Sequence, residues 1–164
     1  MANRAVFLDR DGVLNVERGD YTWKLEDFIV PPGVPEAVKL LKENGYILIV
    51  ITNQAGIAKG LYTKKEVLSC HEKLQAEVGG LIDDLFYSPY HPSVTQCLGR
   101  KPEPLLLERA IALYNIDPGQ SWMVGDRDRD LEAAKKAGVK GIKVGEEDGA
   151  VPDLISAIPI ILGQ

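Results

Sequence analysis

Short apolar runs alternate along the chain with longer stretches in which apolar residues recur every three or four positions. The runs at 5–8 and 46–51 are continuously apolar, which is typical of parallel strands buried on both faces. Segments such as 35–44 carry an apolar stripe and end at a glycine, as amphipathic helices do. The alternation predicts an α/β fold, a Rossmann-like doubly wound parallel sheet covered by helices on both faces.

The rest of the chain continues this alternation. Further strands are predicted at 85–87, 121–124 and 141–144, and further helices after Thr63, over 103–115 and before Gly138. The tail, 151–162, is expected to hold at least one helical turn and then a last apolar strand. Because no repeat, linker or large insertion interrupts the pattern, we expect residues 1–164 to form a single domain without a cap domain.

Polar residues of complementary types follow the predicted strands. They are Asp9 and Asp11 after the first strand, Thr52 and Asn53 after the second, Arg100 and Lys101 before a helix, and Asp126 with Asp130 after the fourth strand. Parallel strands bring their carboxyl ends to one edge of a sheet, where ligands bind. Carboxylate oxygens favour Mg²⁺, and cationic and amide donors suit a phosphate. The set indicates a metal-assisted site with a carboxylate nucleophile and an acid/base, although Asp-Gly is also ordinary turn chemistry.

These motifs are similar to those of a known family. The chain resembles the haloacid dehalogenase superfamily of phosphohydrolases over nearly its whole length. The resemblance rests on the pattern Asp9-Arg10-Asp11-Gly12, then Thr52, then Lys101, then Gly125-Asp126 with Asp130. The stretches 8–15, 52–60 and 100–102 look like those of heptose bisphosphate phosphatases. The related histidinol-phosphate phosphatases share much of this pattern.

The resemblance implies a role for each residue. Asp9 would attack phosphorus and carry an aspartyl-phosphate, and Asp11 would protonate the leaving alcohol and then activate water. Asp9, Asp126 and the backbone carbonyl of Asp11 would bind Mg²⁺. The other implied roles are phosphoryl binding by Thr52, Asn53 and Lys101, substrate contact by Arg100 and Arg127, and orientation of Lys101 or a metal-bound water by Asp130.

The resemblance also implies a substrate class. It favours hydrolysis of the 7-phosphate of D-glycero-D-manno-heptose 1,7-bisphosphate, with histidinol phosphate as the alternative substrate. A catalytically silent phosphate-binding domain on the same fold is a further alternative, against which the complete catalytic set argues. A phosphotransferase or mutase would share the aspartyl-phosphate, but mutases need a second phosphate site and usually a cap.

Two loops are expected to cover the site. Segment 17–23 is either a flap beside Asp9 or a solvated loop. Loop 88–99 departs from the family, in which Cys-x-His and Cys-x-Cys hold a zinc ion; here only Cys97 remains as a ligand type, and His91 lies beside the expected position. We therefore expect no structural zinc, with the loop held by packing and hydrogen bonds.

Composition excludes several other classes. The net charge is −5 and no basic cluster with interleaved aromatics occurs, which argues against nucleic acid as a partner. No apolar run is long enough to span a membrane, and the first residues lack a signal peptide's apolar region. We expect a cytoplasmic monomer that binds a small phosphosugar, with Cys70 as a buried thiol on a helix.

Overall fold

Five strands alternate with five α-helices in the computed structural model, which describes residues Met1–Gln164. The strands are β1 (Arg4–Leu8), β2 (Tyr46–Asn53), β3 (Asp84–Ser88), β4 (Trp122–Gly125) and β5 (Lys140–Lys143). The helices are α1 (Gly33–Glu43), α2 (Lys64–Glu77), α3 (Leu105–Leu113), α4 (Asp128–Lys136) and α5 (Leu154–Leu162). All neighbouring strands are parallel, in the order β3-β2-β1-β4-β5. The predicted doubly wound sheet is confirmed.

The central strand, β1, packs against both layers of helices. Its side chains alternate between the faces, so Val6 and Leu8 join the cluster beneath α1, α2 and α5, whereas Ala5 and Phe7 join the cluster beneath α3 and α4. All four are completely buried. Leu8 pairs with Val50 on one side and with Val124 on the other. The carboxyl ends of the three middle strands are therefore aligned in register.

The second strand is longer than its apolar run. The sequence predicts its end at residue 51, but Thr52 and Asn53 continue the pairing opposite Tyr87 and Ser88 of β3. These two side chains leave opposite faces of the strand because strand residues alternate. The end of β2 therefore sends one polar group to each side.

The predicted last strand is wrong. Residues 154–162 form α5, which begins where the Asp153 carboxylate accepts a hydrogen bond of 3.0 Å from the Ser156 amide. Its buried residues follow helical spacing, not alternation; they are Leu154, Ala157, Ile158 and Ile161. The apolar run was ambiguous because a short buried helix and a buried strand share the same composition.

Two smaller expectations are confirmed on α2. The Glu66 carboxylate accepts a hydrogen bond of 2.8 Å from the Thr63 amide, and Thr63 Oγ1 accepts one from Lys65, which completes the capping box. Cys70 is completely buried on the same helix. None of the five helices has the length and apolar character that crossing a membrane requires.

The tail helix provides a test of the fold. Ile158 is buried and Ile160 is 46% exposed. Ile158→Ala should lower the free energy of unfolding by about 2–5 kcal/mol through lost burial and a residual cavity. Ile160→Ala, the control, should lower it by less than about 1 kcal/mol. Denaturant unfolding measures both. In a strand the two side chains would share a face, so equal losses would contradict α5.

Candidate active site

A cavity of about 340 Å³ opens at the carboxyl ends of β1, β2 and β4. Its wall holds most of the polar residues that the sequence singled out, namely Asp9, Asp11, Thr52, Asn53, Asp126 and Arg127. Five residues of the 17–23 segment also line the wall, which are Glu17, Gly19, Asp20, Tyr21 and Thr22. The segment thus borders the site as the flap interpretation expected.

Lys101 is the charged centre beneath the cavity. Its ammonium nitrogen lies 2.8 Å from Asp9 Oδ1 and 2.6 Å from Asp130 Oδ1, and it donates a hydrogen bond of 2.8 Å to the carbonyl of Ile51. Lys101 and Asp130 are exposed by only 2% and 0%. Two hydrogen bonds, to Asp9 and to Ile51, and the ion pair with Asp130 together hold the ammonium group in one position.

The burial of these groups changes their ionisation. Burial holds the pKa of Asp9 well above its usual value; Lys101 opposes this shift, and the charges of Asp130 and Asp126 add to it. Burial alone would lower the pKa of Lys101, but Asp9 and Asp130 raise it above its usual value. The lysine therefore stays protonated, and it is one cation among three carboxyl groups, so a further cation would favour the ionised forms of these groups.

The acidic cluster suits a hard cation. Carboxylate oxygens of Asp9, Asp126 and Asp130 all lie within 4.8 Å of one another. Burial raises the pKa of Asp126, with Asp130 adding to the shift. Opposite ligands of Mg²⁺ lie about 4 Å apart, so the spacing and the all-oxygen donor set fit that ion. A bound divalent cation would offset the excess negative charge.

Gly12 makes room for this cluster. A Cβ atom on Gly12 would lie 2.2 Å from Asp126 Oδ2, and the residue has a φ of +90°. Any other residue would be strained there and would push the Asp126 carboxylate away. The Asp-Gly step after β1 therefore allows Asp126 to approach the β1 end.

Asp11 is held by three different side chains. Its Oδ1 accepts hydrogen bonds of 2.9 Å from Arg10 and 2.9 Å from Asn15, and its Oδ2 accepts one of 3.2 Å from Gln54 Nε2. Arg10 is itself buried and also donates to the carbonyl of Thr22. Asp11 remains one-quarter exposed, facing the cavity. Its carboxylate is thus oriented by the protein yet open to a ligand.

Asn53 fixes the main chain at Lys101. Its Nδ2 donates 3.2 Å to the Lys101 carbonyl, and its Oδ1 accepts 3.0 Å from the Lys101 amide. Through these two bonds Asn53 anchors the loop that carries Lys101. The sequence analysis did not predict this contact. A contact with phosphoryl oxygens remains a prediction for this residue.

The first turn of α4 supplies the remaining charges. The Arg127 amide donates 3.0 Å to Asp130 Oδ2, which leaves the other oxygen of Asp130 to face Lys101. The Arg127 guanidinium is 56% exposed at the cavity mouth, 3.6 Å from Asp126 Oδ2. Arg129 also lines the cavity, although the sequence analysis did not select it.

Arg100 lies on a different surface from the one expected. It lines a neighbouring cavity of about 350 Å³ with residues of loop 88–99, and its guanidinium donates 3.2 Å to the carbonyl of Tyr90. In this loop, His91 Nδ1 pairs with Ser93, and the Cys97 sulfur lies 3.5 Å from Ser88 Oγ. The structure does not bring Arg100 onto the wall beside Asp9.

Sequence reasoning missed the supporting polar residues. Arg10, Asn15 and Gln54 are buried and contact Asp11, yet none was assigned a role. The available signal was their position: Arg10 and Gln54 are polar residues next to motif residues just after buried strands, and Asn15 follows Asp11 by four residues. Their partners depend on the tertiary structure, so the sequence alone could not pair them.

Comparisons with known sequences give consistent matches. The HAD-hydrolase-like family model matches residues 98–158. A relative from Haemophilus ducreyi named D-glycero-beta-D-manno-heptose-1,7-bisphosphate 7-phosphatase is 41% identical over 149 residues, which is 85% of this chain and 81% of the relative. A relative of the same name from Yersinia pestis is also 41% identical, over 85% of this chain and 78% of its own.

Solved structures share the whole fold. A D,D-heptose 1,7-bisphosphate phosphatase from B. bronchiseptica, complexed with magnesium and phosphate, is 27% identical, with a TM-score of 0.88 over 98% of both chains. A D,D-heptose 1,7-bisphosphate phosphatase from Burkholderia thailandensis is 25% identical, with a TM-score of 0.70 over 99% of this chain and 100% of its own.

The buried ion pairs lead to a stability prediction. Lys101→Met should lower the free energy of unfolding by about 3–5 kcal/mol at pH 7, because Asp9 and Asp130 lose their counter-ion. A carboxyl whose folded pKa is raised destabilises the fold only while ionised. The deficit should therefore shrink as the pH falls toward 3.8, the ordinary value for Asp9.

The matched control is Lys136→Met, which removes two surface ion pairs, to Glu103 and Glu132. It should lower the free energy of unfolding far less than Lys101→Met does, with little dependence on pH, because exposed ion pairs are screened by solvent. Urea unfolding at several pH values measures both variants. Equal losses for the two lysines would contradict a buried ionic centre.

Proposed function

This chain belongs to the haloacid dehalogenase-like family of phosphatases, and from that premise we propose that it removes the 7-phosphate of D-glycero-D-manno-heptose 1,7-bisphosphate in a Mg²⁺-dependent reaction. The observation that carries the proposal is the buried Asp9 carboxylate, held 2.8 Å from Lys101 and open to the same cavity as Asp11. The names of the 41% identical relatives support the choice of substrate.

The first proposed step forms a phosphoenzyme. A carboxylate oxygen of Asp9 attacks phosphorus, and the bond between phosphorus and the substrate's alcohol oxygen breaks. Asp11 gives its proton to that departing oxygen, so a neutral alcohol leaves. Lys101 remains against Asp9 and supplies positive charge next to the oxygens on which negative charge develops.

The second proposed step hydrolyses the aspartyl-phosphate. Asp11, now ionised, accepts a proton from a water molecule as that water attacks phosphorus. The bond between phosphorus and Asp9 breaks, which releases inorganic phosphate and restores both carboxyl groups. One residue serves as acid and then as base because it faces the same cavity throughout.

Asp9, Asp126 and the backbone carbonyl of Asp11 are the proposed ligands of Mg²⁺. When bound, this ion supplies positive charge that neutralises the phosphoryl oxygens during transfer. Thr52, which is buried at the end of β2, is proposed to bind a phosphoryl oxygen through its hydroxyl.

Two arginines at the cavity mouth are the proposed partners of a second phosphate on the substrate. Arg127 and Arg129 line the opening, and the carboxylates of Glu17 and Asp20 line it as well. We rank histidinol phosphate second because the 41% identical relatives are named for the heptose bisphosphate. Arg100 contacts the substrate only if the substrate extends into the cavity that Arg100 lines with loop 88–99.

The two hydrophobic clusters cover opposite faces of one sheet. On that ground we propose that the whole chain acts as one domain, with segment 17–23 as the cover of the site. The expectation that loop 88–99 also covers the site is not met, because its residues line the neighbouring cavity instead.

Specificity constants test the proposed substrate. Purified protein should hydrolyse the heptose bisphosphate with a kcat/KM at least about tenfold above that for histidinol phosphate, a difference of about 1.4 kcal/mol in transition-state binding. Activity should disappear with a chelator and return with Mg²⁺. A higher kcat/KM for histidinol phosphate would overturn the proposed substrate. If no monoester released phosphate, the proposed reaction itself would be overturned.

Asp9→Asn should abolish turnover, because an amide is not a phosphoryl acceptor and is a poorer ligand for a cation. The expected loss in kcat is at least about 10³-fold. Asp128→Asn is the control: it makes the same chemical change on the exposed first turn of α4, where Asp128 pairs only with Lys143. Phosphate release under saturating substrate measures both. Substantial Mg²⁺-dependent activity in Asp9→Asn would show that the nucleophile lies elsewhere.

A further inference from the structure

A chain of buried hydrogen bonds links Tyr62 to Asp11. The Tyr62 hydroxyl donates 2.7 Å to Gln54 Oε1. The other end of that amide, Nε2, donates 2.9 Å to Thr52 Oγ1 and 3.2 Å to Asp11 Oδ2. Tyr62 and Gln54 are 5% and 2% exposed. One side-chain amide thus joins the proposed acid to the proposed phosphoryl-binding hydroxyl.

The direction of these bonds is fixed by their partners. In its ionised form the Asp11 carboxylate accepts hydrogen bonds only, so the NH₂ group of Gln54 faces Asp11 Oδ2. Its carbonyl oxygen then faces Tyr62, whose hydroxyl must donate. Burial raises the pKa of Tyr62 to about 12, so the hydroxyl keeps its proton at neutral pH. The tyrosine therefore opposes rotation of the amide.

Local sequence explains how Tyr62 reaches this position. Its ring lies over Gly56, where a Cβ atom would be 2.1 Å from Tyr62 Cε1, so no larger residue fits there. The ring also stacks on Trp23, with centroids 6.2 Å apart, and tilts against Tyr21 at 6.3 Å. Both of these aromatics belong to the 17–23 segment. The ring is thus held between the end of β2 and the cavity wall.

We propose that Tyr62 and Gln54 are positioning residues, which orient the Asp11 carboxylate toward the departing oxygen of the substrate. The inference rests on the proposed role of Asp11. Thr52 is held independently by strand pairing with β3. Asp11 lies outside any strand, and Gln54 is the side chain that ties it to β2. Loss of the tyrosine hydroxyl should therefore act mainly on proton transfer.

Tyr62→Phe removes only the hydroxyl and tests this. For the heptose bisphosphate, whose alkoxide is a poor leaving group, kcat/KM should fall about threefold to tenfold, in keeping with one lost hydrogen bond. For p-nitrophenyl phosphate, whose leaving group needs little protonation, kcat/KM should fall less than about twofold. Equal losses on both substrates, or none on either, would overturn the proposal.

The control is Tyr46→Phe. Tyr46 is equally buried, and its hydroxyl donates 3.3 Å to the carbonyl of Ile161 at the opposite end of β2. Its kcat/KM should match the unmodified protein on both substrates. If losing a buried hydroxyl had a general effect, kcat/KM would fall by the same factor in Tyr46→Phe and Tyr62→Phe, which would contradict a positioning role for Tyr62.

A double-mutant cycle tests whether Tyr62 acts through Gln54. Gln54→Leu should lower kcat/KM for the heptose bisphosphate by about 10²-fold, because Asp11 loses its tie to β2. Adding Tyr62→Phe to Gln54→Leu should then cause no further loss, since the amide on which the hydroxyl acts is gone. If the losses in kcat/KM of the two single variants multiply in the double variant, Tyr62 does not act through Gln54 and the proposal is overturned.

A measurement without substrate separates this inference from the proposed function. In ¹⁵N NMR spectra, the Gln54 side-chain protons should be protected from exchange with solvent in the unmodified protein and in Tyr46→Phe, and should lose protection in Tyr62→Phe. Unprotected protons in the unmodified protein would overturn the inference even if the phosphatase is active. If the Gln54 protons are protected in a protein that releases no phosphate, the orientation of the amide is supported and the proposed reaction is overturned instead.

Discussion

Negative charge buried at one edge of the sheet is the constraint on which the site depends. Asp9 and Asp130 lie within 2.8 Å and 2.6 Å of the same ammonium group, and Asp126 approaches them from the end of β4. Without Lys101 these carboxylates would be unpaired in a low-dielectric setting, which costs several kcal/mol. The loop before α3 must therefore deliver a lysine, and Asn53 fixes that loop through its main chain.

Hydrophobic packing on both faces of the sheet stabilises this buried charged site. Two apolar clusters bury the central strands on both faces, so the strand ends are held rigidly and in register. Polar side chains that leave these ends are consequently fixed relative to one another. Asp11, by contrast, lies just beyond β1 and needs its own donors, which Arg10, Asn15 and Gln54 provide. The site thus combines a rigid charged base with one separately oriented carboxylate.

Strand composition and motif spacing predicted the parallel sheet and the meeting of Asp9, Asp11 and Asp126, because both depend on local pattern and on the geometry of parallel strands. The tail was predicted to begin as a helix and end as a strand, because its apolar run also suits a strand, whereas all of residues 154–162 are helical. The Tyr62 contact with Gln54 could not be predicted, since it depends on the ring passing over Gly56. The surface on which Arg100 lies depends on loop conformation, which the sequence does not specify.

The central claim, that phosphate is carried by Asp9, is tested most directly by trapping. In Asp11→Asn the nucleophile remains, but the base that activates water is gone, so hydrolysis of the intermediate slows by about 10²–10⁴-fold. Mass spectrometry of this variant, quenched in acid after mixing with p-nitrophenyl phosphate and Mg²⁺, should find one phosphoryl group on the peptide that contains Asp9. A phosphoryl group on another residue, or an unmodified peptide in a variant that still releases nitrophenol, would contradict the account.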